Sequence, residues 1–345
     1  MAGMVRVALD AMGGDNAPGE IVKGALAALR ESEQLQVILV GKEDAIRKEL
    51  AGAEYPKERL SVVHASEEIT CDEAPVYAVR TKRDSSLVVA MNLVQKGEAD
   101  AVVSAGSTGA ILVGSVIYIK RIRGIERTPL APLIPTEKGV SLLIDCGANV
   151  DAKPSQLVQF ARMGSIYMEY VVGVKNPTVG LVNIGVEEEK GNQLVKDTYP
   201  LLKEQKDINF IGSVEAREIP HGAADVIVCE AFVGNVILKL YEGLAMTLVA
   251  KIKEGMMSSV RGKIGGALAK PALKKTLKSF DSSEHGGAPM LGLNGLVVKT
   301  HGSSKAAEVK NSLLQCITFT EQHIVDKIRD QICADDKKEE ASDGQ

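Results

Sequence analysis

With 345 residues, 45 acidic against 41 basic side chains and a net charge of −4, the chain can fill one extensive core or two fused lobes. It has no global basic field of the kind that releases counterions from nucleic acid, so a nucleic-acid partner is not expected. Aromatic residues make up only 3% and Trp is absent, which leaves aliphatic side chains to fill the interior and suits a buried parallel sheet.

The five cysteines, Cys71, Cys146, Cys229, Cys316 and Cys333, lack paired spacing. That fits a reduced, cytoplasmic protein with neither a zinc site nor a disulfide framework. No apolar run approaches the roughly 18 to 20 residues of a spanning helix and no signal-peptide pattern precedes the first strand, so a soluble protein is expected, with peripheral membrane contact left open.

In chain order, Val5, Val7 and Leu9 alternate with Arg6 and Ala8 in a strand that opens into Asp10-Ala11-Met12-Gly13-Gly14-Asp15. Pro18 and a helical pattern through Val22, Ala25 and Leu29 follow. Such a turn brings amide N–H groups close to an anion, and serves equally as a plain tight turn. Further strands are predicted over Leu35–Val40, Leu60–Val63, Ala101–Ser104, Val140–Ile144, Thr178–Asn183, Ile208–Ile211, Asp225–Cys229 and Leu296–Lys299. Helices are predicted over Ser85–Lys96, Gly109–Ile119, Pro154–Glu169, Gly191–Leu202 and Asn235–Lys253. Strict alternation implies a parallel α/β sandwich in one catalytic domain spanning 1–333. Residues from about 255 to 282, with Lys263, Lys270, Lys274, Lys275 and Lys278 among Ile264, Leu268, Leu273 and Leu277, read as a projecting helical hairpin split by Pro271. One last helix carries Val309, Leu313, Ile317, Ile324 and Ile328 on one face, and the charged tail 334–345 is expected to be disordered.

Ligands of open α/β sheets sit at the carboxyl ends of the strands, so the segments that follow the strands hold the candidates. Ser104-Ala105-Gly106-Ser107-Thr108-Gly109-Ala110 offers two glycines, two hydroxyls and a helix start, which suits a phosphate or an ordinary cap. Asn149 and Asp151 stand before the Pro154 helix, where ligand orientation and capping compete. Lys190-Gly191-Asn192 puts a point charge at a helix start, or belongs to a solvated loop. Asn235 offers an amide to an oxyanion or caps its helix, and His301 meets a ligand or bonds its own loop. No Gly-x-Gly-x-x-Gly, Walker lysine or Gly-x-Ser-x-Gly pattern follows a strand, which weighs against dinucleotide, nucleoside triphosphate and acyl-serine chemistry.

Asp10-Ala-Met-Gly-Gly-Asp15, Ser104-Ala-Gly-Ser-Thr-Gly-Ala110, Gly147-Ala-Asn-Val-Asp-Ala-Lys-Pro154, Lys190-Gly-Asn192, Phe232-Val-Gly-Asn235 and His301-Gly-Ser-Ser304, in this order, resemble the PlsX family of acyl-acyl carrier protein:phosphate acyltransferases. The resemblance runs to about Asp330. Ser107 stands where the family usually has Asn, and Glu230-Ala231 where it has Asp-Gly. The resemblance implies a three-layer α/β/α fold like that of isocitrate and isopropylmalate dehydrogenases, and a homodimer. It also implies transfer of a fatty acyl group from acyl carrier protein to inorganic phosphate, without cofactor or metal. The acyl phosphate formed would feed glycerol-3-phosphate acyltransferase.

On that pattern Lys190 and Asn235 are the expected catalytic pair. Asp10, Gly13, Gly14, Gly106, Ser107, Thr108, Gly109, Asn149, Asn192 and His301 are the expected phosphate or substrate contacts. The hairpin lysines are expected to dock the acidic carrier protein or the inner face of the membrane, with packing in a dimer as the alternative. A coenzyme A-dependent phosphate acetyl- or butyryltransferase, a decarboxylating dehydrogenase and a non-enzymatic membrane scaffold are the competing functions. The dehydrogenase lacks the clustered aspartates its metal needs.

Overall fold

Every second residue of the inner strands faces the same way, and the two alternating sets find different helices. The structure, a computed structural model, describes residues 3–279 and 286–332. One sheet contains β1 (Val5–Asp10), β2 (Leu35–Gly41), β3 (Leu60–His64), β4 (Ala101–Ser104), β10 (Ala288–Pro289) and β11 (Leu296–Lys299), in the order β10-β11-β4-β1-β2-β3. The other contains β5 (Leu133–Thr136), β6 (Gly139–Ile144), β7 (Thr178–Asn183), β8 (Asn209–Glu215) and β9 (Val226–Val228), in the order β5-β6-β9-β7-β8. In β1, Val7 and Leu9 point into a cluster with Ile21, Val22 and Ala25 of α1 (Gly19–Glu31), whereas Ala8 points into a second with Leu87, Val88 and Met91 of α4 (Ser86–Gln95). Helices on both faces of nearly pure aliphatic strands are what the composition demands, and they give the expected α/β/α layering.

In the second sheet, Leu142 and Ile144 of β6 face Phe160 and Ile166 of α6 (Pro154–Tyr167), and Leu143 faces a smaller cluster with Ile227 and Val214. The cluster under α6 is continuous with the one under α1 and α10 (Ala306–Glu321), so a single apolar core joins the two sheets. The remaining helices are α2 (Glu43–Leu50), α3 (Pro75–Thr81), α5 (Thr108–Gly114), α7 (Gln193–Glu204), α8 (Ala231–Met257) and α9 (Val260–Ser279).

The structure corrects several sequence expectations. The alternation is not strictly parallel: β5 runs antiparallel to β6 and β10 antiparallel to β11. Both are short edge strands containing a proline, Pro135 and Pro289, which an edge tolerates because it has no second neighbour to bond. Helices α2 and α3 fall in segments the periodicity did not mark. The last helix is interrupted at 322–323, where His323 has φ +50°, and restarts over 324–332. The projecting hairpin begins at Ala231, not near 255: α8 runs 27 residues through Gly255, and Pro271 lies inside α9 without ending it. The hairpin end at 280–282, the tail 334–345 and Cys333 lie outside the described residues.

By length and composition α8 is apolar enough to cross a membrane, contrary to the sequence expectation, because its charges are spaced widely enough to leave the average apolar. It is nonetheless rooted in the folded body: Gly234 packs so close to the Asp145 carbonyl oxygen that any Cβ there would overlap it.

Candidate active site

The loops after β1, β4 and β11 are knotted together around Asp10. This carboxylate is buried and accepts hydrogen bonds from Ser104 Oγ (2.7 Å) and the Met12 amide (3.2 Å); Ser104 Oγ accepts from the Gly106 amide (3.0 Å). Burial pushes the Asp10 carboxyl up from its ordinary range, opposed by its bonds from Ser86, Ser104 and the loop amides. A Cβ on Gly13 would lie 2.5 Å from Asp10 Oδ2 and 2.9 Å from the Gly106 amide nitrogen, so the two loops approach this closely only through glycine. Gly14 has φ +96°, and the next amide, of Asp15, donates to the Gly302 carbonyl at 2.8 Å. The amides of Met12 and Gly106 are thus spent inside the joint.

Several candidate polar residues hold helix ends or loops. Ser107 caps α5, accepting from the Ala110 amide at 3.5 Å, and Asn192 caps α7, accepting from the Val195 amide at 3.0 Å. Gly109 lets α5 lie against Pro75, whose Cγ would be 2.7 Å from a Cβ there. Asn149 Nδ2 donates to the Thr128 carbonyl (2.9 Å) and to Asp145 Oδ2 (2.8 Å). Asp145 also receives the amides of Leu130 and Asn149. Asn235 does not cap α8; Glu230 does, accepting from the Phe232 and Val233 amides at 2.6 and 2.9 Å. Relieved of that role, Asn235 sits one turn into α8, and its side-chain amide has no hydrogen-bond partner among the described residues.

A cavity of about 350 Å³ opens where the carboxyl ends of the two sheets meet. The first sheet contributes Thr108 after β4, and Lys299, Thr300, His301 and Ser304 at and beyond the end of β11. The second contributes Cys146 and Gly147 after β6, and Asn235, Lys239 and Glu242 on α8. Asn235 Oδ1 would lie 3.5 Å from a Cβ on Gly147, so the bare glycine leaves the amide accessible. Lys239 Nζ is 3.0 Å from both His301 Nε2 and Glu242 Oε2. Lys299 is half-buried, donates to the Thr300 carbonyl at 2.7 Å, and has its pKa pushed down to about 8 by burial and then by Lys239, with Cys71 and Glu242 opposing. Burial raises the Cys146 thiol well above its ordinary range, which leaves it protonated and unreactive at neutral pH. Among the described residues no group of three or more His, Cys, Asp or Glu is placed to hold a metal ion.

Of the sequence candidates, Thr108, His301 and Asn235 line the cavity together. Lys190 does not: it stands on the loop after β7, beside the strand that leads into α8, and its Nζ pairs with Glu187 at 2.8 Å. The pair raises the lysine pKa and lowers that of the glutamate. Lys263, Lys270 and Lys274 are exposed along α9, and the side chains of Lys275 and Lys278 lie outside the described residues. Lys239, Glu242, Lys299 and Thr300 went unmarked. Lys239 stands one helical turn after Asn235 and so shares its face, a signal the sequence did contain. Lys299 ends an apolar strand, and nothing local announces its burial.

Residues 5–327 match the family described as "Fatty acid synthesis protein". A protein of Clostridium novyi (strain NT) named "Phosphate acyltransferase" is 49% identical over 328 residues, covering 95% of this chain and 98% of its own. Among solved structures, a phosphotransacetylase from Streptococcus pyogenes superposes with a TM-score of 0.61 at 18% identity, covering 92% of this chain and 94% of the other. A branched-chain phosphotransacylase from Enterococcus faecalis V583 superposes with a TM-score of 0.56 at 17% identity, covering 91% and 98%. These two likenesses establish a shared fold.

Proposed function

The chain belongs to the fatty acid synthesis protein family, and from that premise we propose that it moves a fatty acyl group from acyl carrier protein to inorganic phosphate, giving acyl phosphate for phosphatidic acid and phospholipid synthesis. Acyl transfer to phosphate rests on the name carried by full-length relatives at 49% identity. The carrier-bound donor and the lipid pathway are the finer reading. The observation that supports acyl transfer to an anion is the unpartnered Asn235 amide at a cavity lined by the cations Lys239 and Lys299.

Phosphate near neutral pH is substantially dianionic, so the demand on the enzyme is orientation more than base catalysis. A phosphate oxygen attacks the thioester carbonyl carbon, the C–O bond forms, and the tetrahedral oxyanion is met by the Asn235 amide. Collapse breaks the C–S bond and releases a thiolate, and with a thiol pKa of about 8.5 it takes up, directly or through water, the proton that the attacking hydrogen phosphate sheds on becoming an acyl phosphate. The joined glycine loops around Gly13, Gly14 and Gly106 do not line the cavity and act from behind it, holding the segments that carry Thr108 and His301. Lys190, which stands outside this cavity, serves as the second catalytic group only by leaving Glu187 and moving with the loop after β7 toward the ligand's charge. The cytoplasmic enzyme is a homodimer that meets the membrane peripherally through the α8–α9 arm, where Leu240, Leu244 and Leu268 are exposed beside Lys263, Lys270 and Lys274.

The deciding assay supplies palmitoyl-acyl carrier protein or palmitoyl-coenzyme A with and without phosphate, and follows free thiol and acyl phosphate together. Phosphate-dependent release with carrier protein preferred supports the reading. Preference for coenzyme A reassigns the donor, and thiol release without acyl phosphate rejects phosphate as acceptor.

A further inference from the structure

The β11 wall of the cavity contains two buried hydroxyls that bond to none of the described residues. Thr300 and Ser304 are 4% and 1% exposed, and neither Oγ1 of Thr300 nor Oγ of Ser304 has a hydrogen-bond partner among the described residues. Buried hydroxyls left unpaired cost free energy, and most buried polar side chains find a partner, so two on one wall mark a place where a ligand completes the bonding. Between and before them stand His301 and Lys299. Lys299 spends one N–H on the Thr300 carbonyl and forms no ion pair among the described residues, which leaves its remaining donors for a ligand. Across the cavity, Lys239 is shared between His301 and Glu242. Two ammonium groups and two hydroxyls therefore face the cavity from its two sides, with Glu242 held by Lys239 and Glu308 accepting from the Lys305 amide, a set suited to an oxyanion with several acceptor oxygens.

We propose that Lys299, Thr300 and Ser304, with Lys239 opposite, form the pocket that binds phosphoryl oxygens during acyl transfer. The assignment rests on the acyl-to-phosphate reading above, but it places the anion on the β11 segment and not on the Gly13 and Gly106 loop amides, which the Asp10 joint consumes. Inorganic phosphate and the phosphodiester of the donor's pantetheine arm present the same oxygens. Lys299 is neutralised as pH rises through about 8, and the charged and titratable groups around it are Lys239 and Glu242 from α8, Glu308 from α10, His301 from its own loop and Cys71 from the loop before α3.

Calorimetric binding of inorganic phosphate alone, and of 4′-phosphopantetheine alone, to the full chain tests the pocket without turnover. Lys299→Met and the near-isosteric Thr300→Val are each expected to weaken one of these ligands by about tenfold to hundredfold. Lys299→Arg is expected to hold affinity flat as pH rises through 8, where the unmodified protein loses it. Loss confined to inorganic phosphate assigns the acceptor site, and loss confined to 4′-phosphopantetheine assigns the donor's phosphodiester. Unchanged affinity for both in folded Lys299→Met and Thr300→Val overturns the proposal. Phosphate binding that depends on Lys299 in a protein without acyl transfer would keep the pocket and reject the enzymatic reading.

Discussion

An amide without a partner beside an open glycine is the feature of Asn235 that matters at the residue scale, because the group keeps its donors for a ligand. If it meets the oxyanion only as that charge develops, Asn235→Ala lowers kcat by about a hundredfold to a thousandfold and leaves the KM for phosphate within a few-fold. A raised KM at unchanged kcat would make it a ground-state contact instead. Lys299 gives a second expectation, on stability. Its folded pKa of about 8 lies below the ordinary 10.5, so between these values the unfolded chain binds more protons and stability rises with pH. Denaturation midpoints measured from pH 8 to 10.5 should climb more in the unmodified protein than in Lys299→Met, and equal slopes would contradict the burial of its charge. Asn235 was legible in the sequence because it follows a glycine at the start of the helix after a strand, and because the Phe232-Val-Gly-Asn235 motif carries the family resemblance. Lys299 was not, since its depressed pKa comes first from burial that only the assembled cavity imposes and then from Lys239, 60 positions away.

Among the elements, α8 is the one whose placement sets the chemistry. Its first turn is fixed by Glu230 below and by the contact of Gly234 with the Asp145 carbonyl, and both lie within five residues of Asn235. Gly234→Ala inserts a methyl where there is no space, which costs about 1–3 kcal/mol by overpacking and displaces the helix start. A lower denaturation midpoint should accompany a fall in kcat at saturating substrates, and normal turnover in this variant would detach Asn235 from the reaction. The inner strands were readable because Val, Ile and Leu run through them and each meets a helix layer on both faces. The edges β5 and β10 were not readable, being four and two residues long with a proline in each. The start of α8 was misplaced by four residues because glutamate is an uncommon cap, and its bidentate use appears only once the backbone has folded around it.

On the scale of the whole molecule, the cavity takes Thr108, Lys299 and His301 from one sheet and Gly147, Asn235 and Lys239 from the other, so an occupant spans the joint between them. The net charge of −4 gives no long-range attraction for an anion, and capture therefore depends on these local cations. A ligand that binds only the folded state stabilises it by about 2.7 kcal/mol at a hundred times its Kd, which for a chain of this size is a rise in melting temperature of roughly 4 °C. Phosphate should produce that rise, chloride at matched ionic strength should not, and Lys299→Met should need about tenfold or more phosphate for the same effect. The charge-matched comparison matters because screening of surface repulsion also stabilises an acidic protein and would act equally through either salt. Equal shifts with phosphate and chloride would mean that the two sheets are held by the shared core of Leu9, Phe160 and Val226 alone, with no contribution from an anion at their junction.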